Sequence, residues 1–144
     1  MILKDEQATA ALGAALARVA QQGDVIALSG PLGAGKTALA RGFIAALGHE
    51  GDVPSPSFAI VQPYEDLDPR VWHVDLYRIE QRSEIDELGL DSAADAVLLV
   101  EWPDRAGPGA WPHALALSLD LAPDGARILT AHAPPSWEGR WPPR

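Results

Sequence analysis

Gly30-Pro31-Leu32-Gly33-Ala34-Gly35-Lys36-Thr37 is the stretch on which the fold turns. It follows the spacing G-x-x-x-x-G-K-[S/T], whose glycines let backbone N–H groups wrap a phosphate while the next helix directs its positive end at it. Average residue frequencies put this pattern at on the order of once in a few hundred chains of this length by chance. The neighbouring residues supply an independent test. The apolar run 25–28 precedes the loop, as a strand buried on both faces would. After it, Leu39, Phe43, Ile44 and Leu47 recur at helical spacing until Gly48. The order of strand, glycine-rich loop and helix predicts an α/β domain built around a phosphate-binding loop.

Upstream, Leu12, Ala15, Leu16 and Val19 predict an Ala-rich helix over 5–22, stopped by Gly23. Downstream, two prolines make 53–56 irregular, and 58–62 reads as a strand ended by Pro63. Residues 70–79 alternate Val71, His73, Asp75 and Tyr77 against Trp72, Val74, Leu76 and Arg78, which predicts a strand with two unlike faces. Ser83 with Asp86 three residues on predicts a short helix over 83–88, ended by Gly89. The apolar run 97–100, bounded by Glu101, predicts a central strand, and 115–121 with 127–131 a hairpin around Asp124-Gly125. The fold class expected is α/β: a single P-loop NTPase domain over 1–133, with a mixed parallel and antiparallel sheet flanked by helices. Residues 134–144 hold four prolines, Gly139 and two tryptophans without periodicity, and are expected to form a disordered tail.

Composition narrows the function. A chain of 144 residues and 15.3 kDa makes one ordinary domain. With 11 basic and 20 acidic residues the net charge is -9, which repels a phosphate backbone and argues against tight nucleic-acid binding by the chain alone. Of the cations only Lys4 and Lys36 are lysines. The absence of cysteine excludes disulfides, thiolate metal sites and thiol nucleophiles. No apolar run approaches the roughly 20 residues of a membrane span, and the first residues lack a signal-peptide core, so the expected setting is cytoplasmic, with no membrane.

Within the loop, Lys36 would reach the β and γ phosphates and the Thr37 hydroxyl would ligate magnesium. An acidic group near the metal is also needed, and two candidates exist. Glu101 closes the apolar run, so its carboxylate would emerge at a strand's carboxyl end, where ligands of open α/β sheets bind. Asp75 shares a strand face with His73 and Tyr77, and could instead pair with Arg78 or Arg82. His73 itself reads as a packed or hydrogen-bonded core histidine rather than a catalytic base. Ser55-Pro56-Ser57-Phe58 lies about twenty residues after the loop, where a hydroxyl could meet the γ-phosphate or the metal.

The phosphate loop, Ser55-Pro56-Ser57-Phe58, His73-Val74-Asp75-Leu76-Tyr77-Arg78 and Glu101-Trp102-Pro103, in that order, resemble the TsaE (formerly YjeE) family, small ATPases of bacterial tRNA threonylcarbamoyladenosine biosynthesis. The resemblance runs over about residues 9–131. It implies ATP and Mg2+ as cofactors, with the loop residues Leu32, Gly33, Ala34, Gly35, Lys36, Thr37 and Ala38 around the phosphates. It also implies Thr37, Asp75 and Glu101 at the metal, and Lys36, Asp75, Glu101 and Ser57 as the catalytic set. Trp102 would lie near the nucleotide, and Thr9 and Arg127 toward its base side. The family usually carries Ser-Pro-Thr-Phe, so Ser57 keeps the hydroxyl without the methyl. The partners implied are the TsaB and TsaD proteins, with tRNA met only through their complex, and the activity implied is ATP hydrolysis, weak without those partners. Two other classes remain open at this point: a small-molecule or nucleotide kinase sharing the loop, and a nucleotide-binding scaffold that does not hydrolyse.

Overall fold

The computed structural model describes residues 1–53, 61–107 and 109–143, with only the backbone described at 91 and 92. Its elements in chain order are β1 (Ile2–Leu3), α1 (Glu6–Val19), β2 (Val25–Ser29), α2 (Lys36–Ala46), β3 (Val61–Tyr64), β4 (Val71–Asp75), α3 (Arg82–Asp86), β5 (Val97–Glu101), β6 (Leu115–Leu121) and β7 (Arg127–His132). Single 3-10 turns occupy Leu90–Ala93, Pro103–Ala106 and Pro135–Trp137. None of the described helices is long and apolar enough to cross a membrane.

The strands form one seven-stranded sheet in the order β1-β7-β6-β2-β5-β4-β3. The four inner strands β6, β2, β5 and β4 are parallel, while β3, β7 and β1 join antiparallel at the two sides. The α/β class and the mixed sheet flanked by helices are therefore as the sequence implies. β5 is buried at every position and stands between β2 and β4, as its unbroken apolar run requires. Its odd residues Val97 and Leu99 join the core under α1 and α2, and its even residues Leu98 and Val100 join a second core on the opposite face.

Asp5 caps α1 by accepting the Ala8 amide hydrogen at 2.8 Å. Two glycines then set how closely the helices pack. A methyl on Gly13 would drive into the Leu39 carbonyl of α2, and one on Gly42 into the Ala10 carbonyl of α1. The pair covers the face of β2 that carries Ile26 and Leu28, directly behind the phosphate loop.

Several boundaries differ from expectation. β4 stops at Asp75 rather than continuing to 79, because the Asp75 carboxylate accepts the Tyr77 amide hydrogen at 2.9 Å and turns the chain. Pro63 lies inside β3 instead of ending it; β3 is an edge strand, where a missing N–H is tolerated. The start of the expected strand at 58 lies outside the described residues. α3 begins one residue earlier than expected, and its capping box is Gln81 with Glu84 rather than Ser83 with Asp86.

The largest correction concerns 134–144. The described part of this tail is docked, not disordered: Trp137 is 1 % exposed and belongs to the main core. Arg140 lies over the Trp137 ring, donates to both Asp24 carboxylate oxygens at 2.7 and 3.1 Å, and donates to the Val19 carbonyl at 2.9 Å. The end of the chain is thereby tied to the end of α1 and the start of β2.

Candidate functional site

The site forms where the carboxyl ends of β2, β4 and β5 meet the start of α2. Parallel pairing sets Asp75 of β4 beside Glu101 of β5, and Glu101 beside Leu28 of β2. Both acidic residues therefore emerge at the rim over which the phosphate loop arches. Gly30 leaves β2 at φ 140, so close to β6 that a methyl would strike the Leu119 carbonyl. Gly35 caps α2 in the left-handed region at φ 105, which favours glycine and turns the first amides of α2 toward the cleft.

Lys36 is 5 % exposed. Its ammonium donates to the carbonyls of Gly30 at 2.6 Å and Pro31 at 2.9 Å, and lies 4.3 Å from the Trp102 ring centroid. Burial pushes its pKa below the ordinary 10.5, against the opposing pull of the Glu101 and Asp75 charges. Trp102 holds a positive φ of 60, the one such non-glycine among the described residues, and its ring packs 4.9 Å from Tyr77. An indole held in that sparsely populated backbone region is aimed by the surrounding structure.

The Thr37 hydroxyl donates to the Glu101 carboxylate at 3.1 and 3.2 Å from its two oxygens. Glu101 is 2 % exposed, and its Oε2 also accepts from His73 Nε2 at 2.6 Å. Thr37, Glu101 and His73 thus form one relay running from the cleft into the sheet.

The cleft in front of these groups has a volume of about 290 Å³. Leu32, Gly33, Gly35, Lys36, Thr37 and Ala38 line it from the loop and α2, and Asp75, Glu101, Trp102 and Arg127 from the strands. A methyl on Gly33 would meet nothing within 4 Å, so the cradle is open at that point. Ala34 is fully buried and only its backbone can serve a ligand. Thr9 is also fully buried: its hydroxyl donates to the Asp5 carbonyl and its methyl backs Gly35, so it supports the loop rather than lining the cleft. Ser57, expected at the phosphates, lies outside the described residues, 54–60 not being among them.

Two residues escaped the sequence reading, and a third, His73, expected as a packed or hydrogen-bonded core histidine, is buried and bonded as that reading has it. Glu6, in the first turn of α1, lines the cleft. Arg41 stands one turn after Thr37 on α2, lines the cleft, and donates through Nε to the Val53 carbonyl at 2.7 Å. His73 stands behind Glu101. The signals available were the i+4 spacing from Thr37 to Arg41 and the two-residue spacing from His73 to Asp75.

The donor set fits a magnesium-bound nucleotide. Among the described residues no three His, Cys, Asp or Glu side chains converge to hold a metal by themselves. One hydroxyl with one or two carboxylates instead suits an ion that keeps several waters and takes other oxygens from phosphate. The loop amides, the amino end of α2 and Lys36 suit the phosphates themselves.

The sequence model of the family described as "Threonylcarbamoyl adenosine biosynthesis protein TsaE" matches residues 3–128. Two proteins named "tRNA threonylcarbamoyladenosine biosynthesis protein TsaE" align as follows: that of Haemophilus influenzae is 35% identical over 107 residues, 72% of this chain and 67% of the relative. That of Mycobacterium tuberculosis is 43% identical over 104 residues, 65% of this chain and 62% of the relative. The aligned part thus spans about two thirds of each relative's length. The crystal structure of Bacillus subtilis YdiB superposes with a TM-score of 0.78 at 31% identity, covering 92% of this chain and 83% of that one. With the phosphate loop, both strand-end carboxylates and strands β2 to β6 inside the matched span, the chain belongs to the TsaE family.

Proposed function

We propose that this protein hydrolyses ATP with magnesium in support of tRNA N6-threonylcarbamoyladenosine formation, acting with TsaB- and TsaD-type partners. The observation that carries the reading is the convergence of Lys36, Thr37 and Glu101 on one cleft, with Asp75 alongside. The ATP phosphates would lie against the amides of the loop and the first turn of α2. The Lys36 ammonium, held by two loop carbonyls, would transfer its hydrogen bonds to phosphate oxygens as charge develops there. Thr37, Glu101 and Asp75 would hold the magnesium, which when bound neutralises the phosphate charge. Glu101 accepts the Thr37 hydrogen and so leaves the hydroxyl's lone pairs for the metal. Trp102 walls one side of the cleft, and Tyr77 packs against its ring from outside the cleft lining. Ser57 is proposed to orient the γ-phosphate, and Arg127 to face the base side.

The pathway reading follows the names of the relatives, and the net charge of -9 agrees with it: a chain this acidic would meet tRNA through partners rather than alone, in the cytoplasm. The experiment is phosphate release from ATP and magnesium by the wild type and Lys36→Ala, alone and with the two partners and tRNA. Lys36→Ala should lose about 10²-fold or more of the turnover while keeping its fold. Retained turnover by the folded variant overturns the assignment, and transfer of phosphate to a nucleoside instead of water points to a kinase.

A further inference from the structure

We infer that His73 is a positioning residue for the metal end of the cleft, its Nε2–H fixing Glu101 so that Glu101 in turn fixes the Thr37 hydroxyl. The inference rests on the magnesium-nucleotide reading above. His73 sits in the middle of β4, between Leu99 of β5 and Gln62 of β3, and is fully buried without lining the cleft. A buried imidazole is unfavourable unless it makes a bond, so the partner indicates what the ring is for. Here that partner is Glu101 Oε2 at 2.6 Å, and Nδ1 has none among the described residues. A carboxylate only accepts, so Nε2 carries the hydrogen, and the unpartnered Nδ1 presents a lone pair rather than an orphaned donor.

The consequence lies in how Glu101 is shared. Its Oε2 takes both His73 and Thr37, and its Oε1 takes Thr37 again, so the carboxylate is held from behind and in front at once. Without His73 the flexible Glu101 side chain would keep only the Thr37 contact while the Lys36 charge draws on it from the cleft. The Thr37 hydroxyl would then lose its fixed direction, and metal coordination its preorganisation. An apolar side chain would fill the same space in the sheet, which separates positioning from packing.

The test compares His73→Leu, which removes the donor, His73→Asn, whose amide is too short to reach, and His73→Gln, whose amide nitrogen reaches about as far as Nε2. Mn2+ binding to the ADP complex is followed by electron paramagnetic resonance, and ADP binding in EDTA by calorimetry. Leu and Asn should weaken Mn2+ binding by about 10- to 100-fold, Gln should stay within about threefold of wild type, and metal-free ADP affinity should barely move. Unchanged Mn2+ affinity in the Leu and Asn variants overturns the inference. An equal loss of metal-free ADP affinity does so too, because it marks a general structural role. If the Leu variant fails to fold, Asn against Gln decides. A wild type whose ADP complex binds no Mn2+ defeats the magnesium-nucleotide reading itself, and is thereby distinct from the failure of His73 alone.

Discussion

Tyr64 ends β3 with its ring buried and its hydroxyl without a partner among the described residues. Burial pushes the phenol above its ordinary 10.0, only partly opposed by the nearby Arg41 charge. The folded state therefore keeps the proton at a pH where the unfolded chain releases it. This contribution is complete below the unfolded value and is lost as pH rises through the folded one. Tyr64→Phe should accordingly flatten the alkaline loss of stability above about pH 10, and at neutral pH should stabilise by about 1 kcal/mol because an unsatisfied hydroxyl is gone. Urea unfolding at neutral and alkaline pH checks both, and a variant with the wild type's alkaline slope contradicts the assignment. The same scale shows what a sequence can carry. The meeting of Lys36, Thr37 and Glu101 in one cleft was legible because their places follow from neighbours along the chain: a glycine loop before two of them and an apolar run before the third. Arg41 was not, and of His73 only its place in the core was, because the partners of both are set by tertiary structure. His73 acquires one only when β5 stands in register beside β4, and Arg41 only when Val53 comes round to α2.

At the level of elements, the phosphate-loop helix is held by backbone approach. Gly13 and Gly42 let α1 and α2 touch where each would otherwise present a methyl to the other's carbonyl. Glycine to alanine inside an exposed helix stabilises by about 1 kcal/mol, so helix propensity predicts a gain. Here overpacking opposes it, typically by about 1–3 kcal/mol and by more when the obstacle is backbone. Gly13→Ala and Gly42→Ala should therefore each destabilise by about 2 kcal/mol or more in denaturant unfolding, and because α2 begins at Lys36, each should also weaken ATP binding. A stabilised variant would mean that the helices stand further apart than the structure has them. The helices themselves were readable, since their apolar spacing and stops are local. The strand ends were less so: period-two alternation continues past Asp75 in sequence, but the Asp75 carboxylate captures the Tyr77 amide and turns the chain there. Pro63 likewise looked like a terminator until its strand proved to lie at the sheet edge.

For the molecule as a whole, the proline-rich end most changes the picture. Proline, glycine and lack of period predict an unpacked terminus, yet composition says nothing about one large side chain finding a place in the core. Trp137 finds it, and Arg140 fastens the turn by covering that ring and pairing with Asp24 at the start of β2. This attachment lies at the amino end of β2, whereas the phosphate loop leaves its carboxyl end, five residues and roughly 17 Å away. Stability and nucleotide binding should therefore separate. Trp137→Ala opens a cavity in the main core and should cost about 3–5 kcal/mol. At a temperature where the variant remains folded, its ATP affinity should match the wild type, because the Lys36, Thr37 and Glu101 arrangement is untouched. Thermal unfolding and calorimetric ATP titration on the same preparation test this together. An unmoved unfolding midpoint would mean the tail is undocked in solution, and a parallel loss of ATP affinity in the folded variant would mean that the two ends of β2 are coupled through α1.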